Sequence, residues 1–137
     1  MALKIRKVDY FNVTVEDQPG EAYKLLTLLS GVGINMLAFT VVPLGQGHTH
    51  LTVFPEDSEK IKEVAEKSGI KLGDPQRAFL VQGDDELGAL VEIHEKLYRA
   101  SVNVIASNAV SDGKGAFGYI LYVRENEYDR AASALDI

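Results

Sequence analysis

The chain repeats itself. Slid past itself by 68 positions, residues 11–47 fall into register with residues 79–115, and 10 of the 37 positions are identical. The matches are Phe11/Phe79, Val13/Val81, Asp17/Asp85, Gly20/Gly88, Leu29/Leu97, Asn35/Asn103, Ala38/Ala106, Val42/Val110, Gly45/Gly113 and Gly47/Gly115. Unrelated segments of ordinary composition share roughly two or three. Many other pairs exchange one apolar residue for another, as in Leu25/Ile93, Ile34/Val102 and Leu37/Ile105, which keeps a core position while changing its shape. A fold for these 137 residues therefore has to be one small unit built twice, with expected boundaries at 1–72 and 73–137.

Each copy carries the same order of signals. Val8 to Val15 is rich in β-branched and aromatic residues and reads as a strand. After the turn EDQPG, Ala22, Leu25, Leu26, Leu29 and Val32 recur at helical spacing and Gly31 and Gly33 stop the helix. Asn35 to Val42 predicts a second strand, Pro43 to Gly47 a hairpin connection, and His48 to Phe54 a third strand. Asp57-Ser58-Glu59 supplies cap chemistry for a short helix carrying Ile61, Val64 and Ala65, closed by Gly69. In the second copy the corresponding elements are Arg77 to Gln82, Glu86 to Ala100, Asn103 to Val110, Phe117 to Val123 and Asn126 to Leu135. Tyr128, Ala131, Ala132 and Leu135 form the apolar stripe of its last helix. The order strand, helix, strand, strand, helix is that of a split βαβ, α+β unit, in which a fourth strand should follow. The first copy has only Ile70 to Leu72 in that place and the second stops at Asp136-Ile137, so the second unit lacks a clear final strand; Ala2 to Lys7 offer themselves to extend the first strand or to pair with the vacant edge.

Composition excludes several function classes. There is no Cys, hence no thiolate metal site and no cysteine nucleophile. Net charge is −6, with 8 basic and 9 acidic groups in residues 1–72 and 6 and 11 in residues 73–137, a field that repels phosphate backbones. No apolar run approaches the roughly 18 residues of a membrane span, and the expected location is the cytoplasm. No Ser/His/Asp order, phosphate-binding loop or carboxylate pair proposes a reaction, so the expectation is a protein that is not an enzyme and carries no cofactor.

The stretch from Asp17 to Asn35 joins a turn with Asp-x-Pro-Gly, an amphipathic helix and a Gly-x-Gly-Ile-Asn stop before a hairpin. With this pattern, DQPGEAYKLLTLLSGVGINM closely resembles the opening of the ACT domain family, and DDELGALVEIHEKLYRASVNV resembles it more loosely. The resemblance covers nearly the whole chain as a tandem pair. It implies two ferredoxin-like βαββαβ units, antiparallel sheets with helices on one face, and a regulatory role in which an amino acid binds between the loop after the first strand and the start of the second strand. The implied ligand residues are Asp17, Gln18, Pro19, Gly20, Asn35 and Met36 in the first copy and Asp85, Glu86, Leu87, Gly88, Asn103 and Val104 in the second. Pairing of units through a homodimer and signalling to a regulated enzyme partner are further implications.

Physical chemistry gives the loops their own meaning. Helix N-termini leave N–H groups unpaired and carry partial positive charge, which suits a ligand carboxylate. Gly20 and Gly88 would let it approach; Asp17 and Asp85 would accept from a ligand ammonium or cap the helix; Asn35 and Asn103 can both donate and accept. Leu87 stands where the first copy has Pro19, and Ser101 where it has Gly33. Two other patterns compete. Lys114 to Tyr122 approaches an RNA-recognition strand apart from the inserted Ala116, with Phe117 and Tyr119 otherwise expected to meet a partner sheet. His48 and His50 share one strand face and make two thirds of a metal site without a third ligand. The resulting expectation is an amino-acid sensor that works by a conformational or assembly change, the alternatives being an RNA-binding module or a constitutive interaction module without ligand.

Overall fold

The computed structural model describes residues 3–137. Contacts divide the chain into two compact units: Asp9–Gln76, and Arg77–Ile137 together with the described residues up to Val8. The sequence repeat placed the boundary at 72/73 and left the leading residues with the first unit. Ala2, part of the segment expected to extend the first strand or fill the vacant edge, lies outside the described residues.

The first unit contains strand β1 (Leu3–Glu16, from Asp9 onward), helix α1 (Glu21–Gly31), β2 (Met36–Gly45), β3 (His48–Pro55) and α2 (Ser58–Ser68), with strand order β2-β3-β1. Period-2 alternation places Phe11 and Val13 of β1 and Leu51 and Val53 of β3 on one face, where they meet Leu25 and Leu29 of α1 and Ile61 of α2. Asp57 caps α2 as expected, accepting from Glu59 N at 3.1 Å and Lys60 N at 3.2 Å, and Gly69 ends it with a φ of +78°. The hairpin is tighter than the expected Pro43 to Gly47 connection. β2 runs through Pro43 to Gly45, and Gln46-Gly47 alone turn the chain with φ of +56° and +78°, the left-handed pair of a type I′ turn. Pro43 is tolerated because β2 is an edge. Ile70 to Leu72 do not form the partial strand expected of them; Ile70 and Leu72 pack on the core, and Gly73 N donates to Asn12 O at 2.9 Å.

The second unit contains β4 (Gln76–Asp84), α3 (Val91–Arg99), β5 (Val104–Ser111), β6 (Ala116–Val123), a 3₁₀ turn (Glu125–Glu127) and α4 (Tyr128–Ala134), with strand order β1-β4-β6-β5. The position beside β4 that the sequence left vacant is taken by the leading residues of β1, whose Leu3 and Ile5 pack on this unit's core. The repeat is carried into the hydrogen-bond register. Phe11 faces Val53 and Phe79 faces Leu121, Val41 faces Leu51 and Ala109 faces Tyr119, and the bulge at Met36/Ala38 recurs at Val104/Ala106. Each unit is thus a ferredoxin-like α+β layer pair.

Two expectations shift here. α3 begins at Val91, five residues after Glu86, because Gly88 takes a φ of +77° and Glu86 to Val91 close turns through Ala89 N to Glu86 O and Val91 N to Gly88 O. Phe117 and Tyr119 face the helices, not a partner sheet: they are 8% and 3% exposed within the core formed with Ile93, Leu97 and Tyr128. Tyr128 anchors α4. Its ring stacks on Phe79 at 4.4 Å, its hydroxyl donates to Ala78 O at 2.8 Å, and the Arg77 guanidinium lies 4.0 Å above it. The hydrogen bond to Glu125, reinforced by the Glu125 and Asp129 charges, raises the Arg77 pKa above its ordinary value. Replacing Tyr128 by Phe keeps the stack and leaves the buried Ala78 carbonyl short of a donor, so urea denaturation should show a loss of about 1 kcal/mol with an unchanged slope.

Candidate functional site

The turn after the first strand of each copy positions the residues singled out in the sequence. In the first copy Asp17 N donates to Gly47 O at 2.8 Å and Gln18 N to Glu16 O at 2.9 Å, while the Gln18 side chain holds Glu21. Gly20 is the N-cap of α1 with a φ of +93°. In the second copy Asp85 N donates to Gly115 O at 2.9 Å and the Asp85 carboxylate accepts from Ser111 Oγ at 3.0 Å. Residues Asp17 to Gly20 and Asp85 to Gly88 are all exposed.

Neither aspartate caps its helix: α1 and α3 have no side-chain hydrogen bond at their N-caps, Gly20 and Leu90, in contrast to α2 with Asp57. Their N-cap residues thus supply no capping side chain, and the carboxylates of the first turns are those of Glu21 and Glu92. The glycines serve the backbone. A Cβ on Gly20 would meet nothing within 4 Å and one on Gly88 only Val91 Cγ2 at 3.7 Å, so the left-handed φ, not the need for space, explains both.

A concavity of about 350 Å³ opens at the second of these turns. Asp85, Glu86, Gly88, Ala89, Leu90 and Val91 form one wall, Ala109, Val110 and Ser111 at the end of β5 the other, and Phe117 of β6 also lines it. Leu87 does not line it; its side chain projects fully into solvent. Asn103 and Val104 do not line it either. They precede and begin β5, whose eight residues span about 27 Å, so the turn and the start of the second strand lie at opposite ends of one unit. The first copy has the same separation: Asn35 and Met36 line a different depression with Leu26, Ser30 and Gly33. Asn35 is also engaged, donating from Nδ2 to Glu56 Oε1 at 3.1 Å, whereas Arg124 occupies the place equivalent to Glu56 in the second copy.

The sequence reading missed Ala109, Val110, Ser111 and Phe117 as lining residues. The signal available for them was topological: a strand antiparallel to its hairpin partner returns its far end to the turn after the first strand. His48 and His50 both lie on β3, and His94 lies on α3 of the other unit. His48 Nδ1 lies 3.1 Å from Gln46 O, and His94 Nε2 is hydrogen-bonded to the Tyr119 hydroxyl at 2.7 Å. Among the described residues no group of three or more His, Asp or Glu side chains is placed to hold a metal ion. Among them also, no helix is long and apolar enough to cross a membrane.

No protein-family model matches the sequence, and no curated protein does. Solved structures do match. A protein from Bacteroides thetaiotaomicron superposes with a TM-score of 0.81 at 12% identity, over 96% of this chain and 88% of that one. The ligand-free regulatory subunit of aspartate kinase from Thermus thermophilus gives 0.63 at 16% identity, over 98% and 93%, and the aspartokinase alpha and beta subunits give 0.61 at 15% identity, over 100% and 99%. The fold is ACT-like. At these identities the likeness is one of fold, and the matched Thermus thermophilus chain is a regulatory subunit.

The backbone account of the glycines is testable by stability. Gly20→Ala and Gly88→Ala should each cost about 1 to 2 kcal/mol, because an L side chain enters the left-handed region there. Gly31→Ala, at the end of α1 with no positive φ and open space around its Cβ, should instead stabilise by about 0.4 to 1 kcal/mol. Guanidinium denaturation of the three variants distinguishes the signs.

Proposed function

We propose that the protein is a regulatory sensor, not an enzyme, that binds an amino acid or a related small metabolite and passes the signal on through a change in conformation or assembly. The observation that carries this reading is the concavity at the second turn, whose volume of about 350 Å³ suits a small ligand. The carboxylates of Asp85 and Glu86 offer partners for an ammonium group, the start of α3 offers N–H groups that its N-cap residue does not cap for a carboxylate, and Val91, Val110 and Phe117 offer an apolar surface for the ligand's side chain. The equivalent turn of the first copy, Asp17, Gln18, Pro19 and Gly20, is the second place for a ligand. Because Asn35 and Met36, like Asn103 and Val104, lie a strand's length from the turn of their own unit, their share of a site would come from another ACT-like unit, which a homodimer supplies.

Such a site works by differential affinity. A ligand that bridges two units favours the arrangement in which both halves of its contacts are made, by as much as it binds that arrangement more tightly. A regulated enzyme partner that recognises one arrangement completes the switch. The RNA-binding alternative loses its support, since Phe117 and Tyr119 are in the core and present no stacking surface.

A thermal-shift screen of the twenty amino acids tests the reading. A ligand that binds only the native state adds about 2.7 kcal/mol at a hundred times its dissociation constant, a rise of several degrees. Asp85→Asn, which keeps the shape of the wall and removes its charge, should abolish the shift while leaving the far-UV circular dichroism unchanged. No shift with any amino acid would favour a constitutive interaction module.

A further inference from the structure

We propose that the helix-free face of the second unit holds a binding site for a small organic cation with a planar nitrogen head, of the imidazolium or guanidinium type. The proposal goes beyond the amino-acid reading and does not rest on it. A hollow of about 490 Å³ lies over the hairpin end of this sheet. Its floor is Ala116 and Gly118 of β6, and its walls are Gln82 and Asp84 of β4 and Val110 of β5. In the register Asp84 faces Ala116, while Gln82 and Val110 flank Gly118, so these residues share one face of the sheet. Phe117 and Tyr119, which alternate with them along β6, point the other way into the core with Ile93 and Leu97 of α3. The turn concavity shares Val110, Ser111 and Phe117 with this hollow but is walled by the start of α3, on the helix side.

Gly118 is the residue that needs explaining. Glycine within a strand weakens a sheet, because it loses more backbone entropy than other residues and buries no side chain. Elsewhere in the chain a positive φ accounts for it, as at Gly20, or a close approach, as at Gly73, where a Cβ would stand 3.1 Å from Asn12 O. Neither applies to Gly118. Its φ lies outside the left-handed region, and among the described residues a Cβ there would meet nothing within 4 Å. What the glycine provides is open space above the strand, the mark of a place where a ligand comes close to the backbone.

The repeat says what fits that space. In the first copy the positions of Ala116 and Gly118 hold His48 and His50, that of Asp84 holds Glu16, that of Gln82 holds Thr14 and that of Val110 holds Val42. There His48 faces Glu16, and His50 stands between Thr14 and Val42. One copy thus sets two imidazoles on this face with a carboxylate opposite, and the other keeps the carboxylate and the flanks but omits both rings. A hole left by an absent side chain admits a free molecule of the same shape and chemistry. The Asp84 carboxylate has no hydrogen-bond or ion-pair partner among the described residues, whereas Asp112 on the rim is engaged through Oδ1 by Lys114 N at 2.7 Å and Ala116 N at 3.1 Å. A planar cation laid over Gly118 meets the exposed Val110 with its edge and directs an N–H at Asp84, a charge-assisted hydrogen bond. The 11 acidic against 6 basic groups of residues 73–137 favour a cation there.

Nitrogen–proton correlation NMR on the full chain tests this, with two probes: agmatine, and imidazole at pH 6, below the ordinary imidazole pKa of about 6.5. At least one probe should move the amides of Asp84, Val110 and Gly118 saturably. Asp84→Asn should weaken that binding by about tenfold, the scale of one hydrogen bond to a charged group. Gly118→His, which copies the first unit, should abolish it with unchanged far-UV circular dichroism, and Gly118→Val carries the same test if the histidine variant does not fold. Glu92→Gln, which removes a carboxylate of α3, should change nothing. Saturable shifts from neither probe overturn the proposal. So do shifts centred away from these three residues, binding that survives a folded Gly118 variant, or an equal response to tetramethylammonium, which has no planar N–H head. Failure of the amino-acid screen leaves these shifts untouched, so the two readings fail separately.

Discussion

In each unit the structure depends on the antiparallel register between the first strand and the second arm of the hairpin. Phe11 faces Val53 and Phe79 faces Leu121, and all four are fully buried. Because side chains alternate along a strand, a slip of one residue would turn these rings and their neighbours out of the core. Holding that register fixes which face the helices cover, and Leu29 and Leu97 then pack onto it from α1 and α3. It also fixes where the chain must turn, so the turns after β1 and β4 emerge at the same corner of each unit with Gly20 and Gly88 in the left-handed region.

The two copies keep this frame and differ in what they hang on it. α1 starts directly after Gly20, whereas α3 waits for a turn through Glu86 to Leu90 and starts at Val91. That turn is what opens the concavity against the end of β5 in the second unit. The hairpins diverge too: Gln46-Gly47 make a two-residue turn, while Asp112 holds a longer loop by accepting from Lys114 N and Ala116 N. Edge chemistry diverges with Pro43 and Ser111. The identities shared by the copies include the buried pairs Phe11/Phe79, Val13/Val81 and Leu29/Leu97 and also the exposed turn pairs Asp17/Asp85, Gly20/Gly88 and Gly47/Gly115.

Much of this was legible in the chain. The repeat, the capping of α2 by Asp57, its stop at Gly69 and the stripe of Tyr128, Ala131, Ala132 and Leu135 all rest on local spacing, and each is found. The errors fall where local signals conflict or where distant segments decide. β2 runs on through Pro43 because an edge strand tolerates a missing donor, and edge status is not a local property. The burial of Phe117 and Tyr119 against helices could not be separated from exposure on the other face, since alternation gives a strand two faces and no label for either.

For the candidate site, the sequence named the turn residues Asp85, Glu86 and Gly88 that line the concavity, because helix starts, carboxylates and glycines announce themselves by residue type. The tertiary structure alone decided that Ala109, Val110, Ser111 and Phe117 join them and that Asn103 stands a strand's length away. It likewise decided that the leading residues of β1 take the vacant place beside β4. The physical reason is one of range. Propensity, capping and periodicity act within a few residues of the chain, whereas the neighbour of a strand is chosen by which backbone edge and apolar face remain uncovered when the whole unit packs.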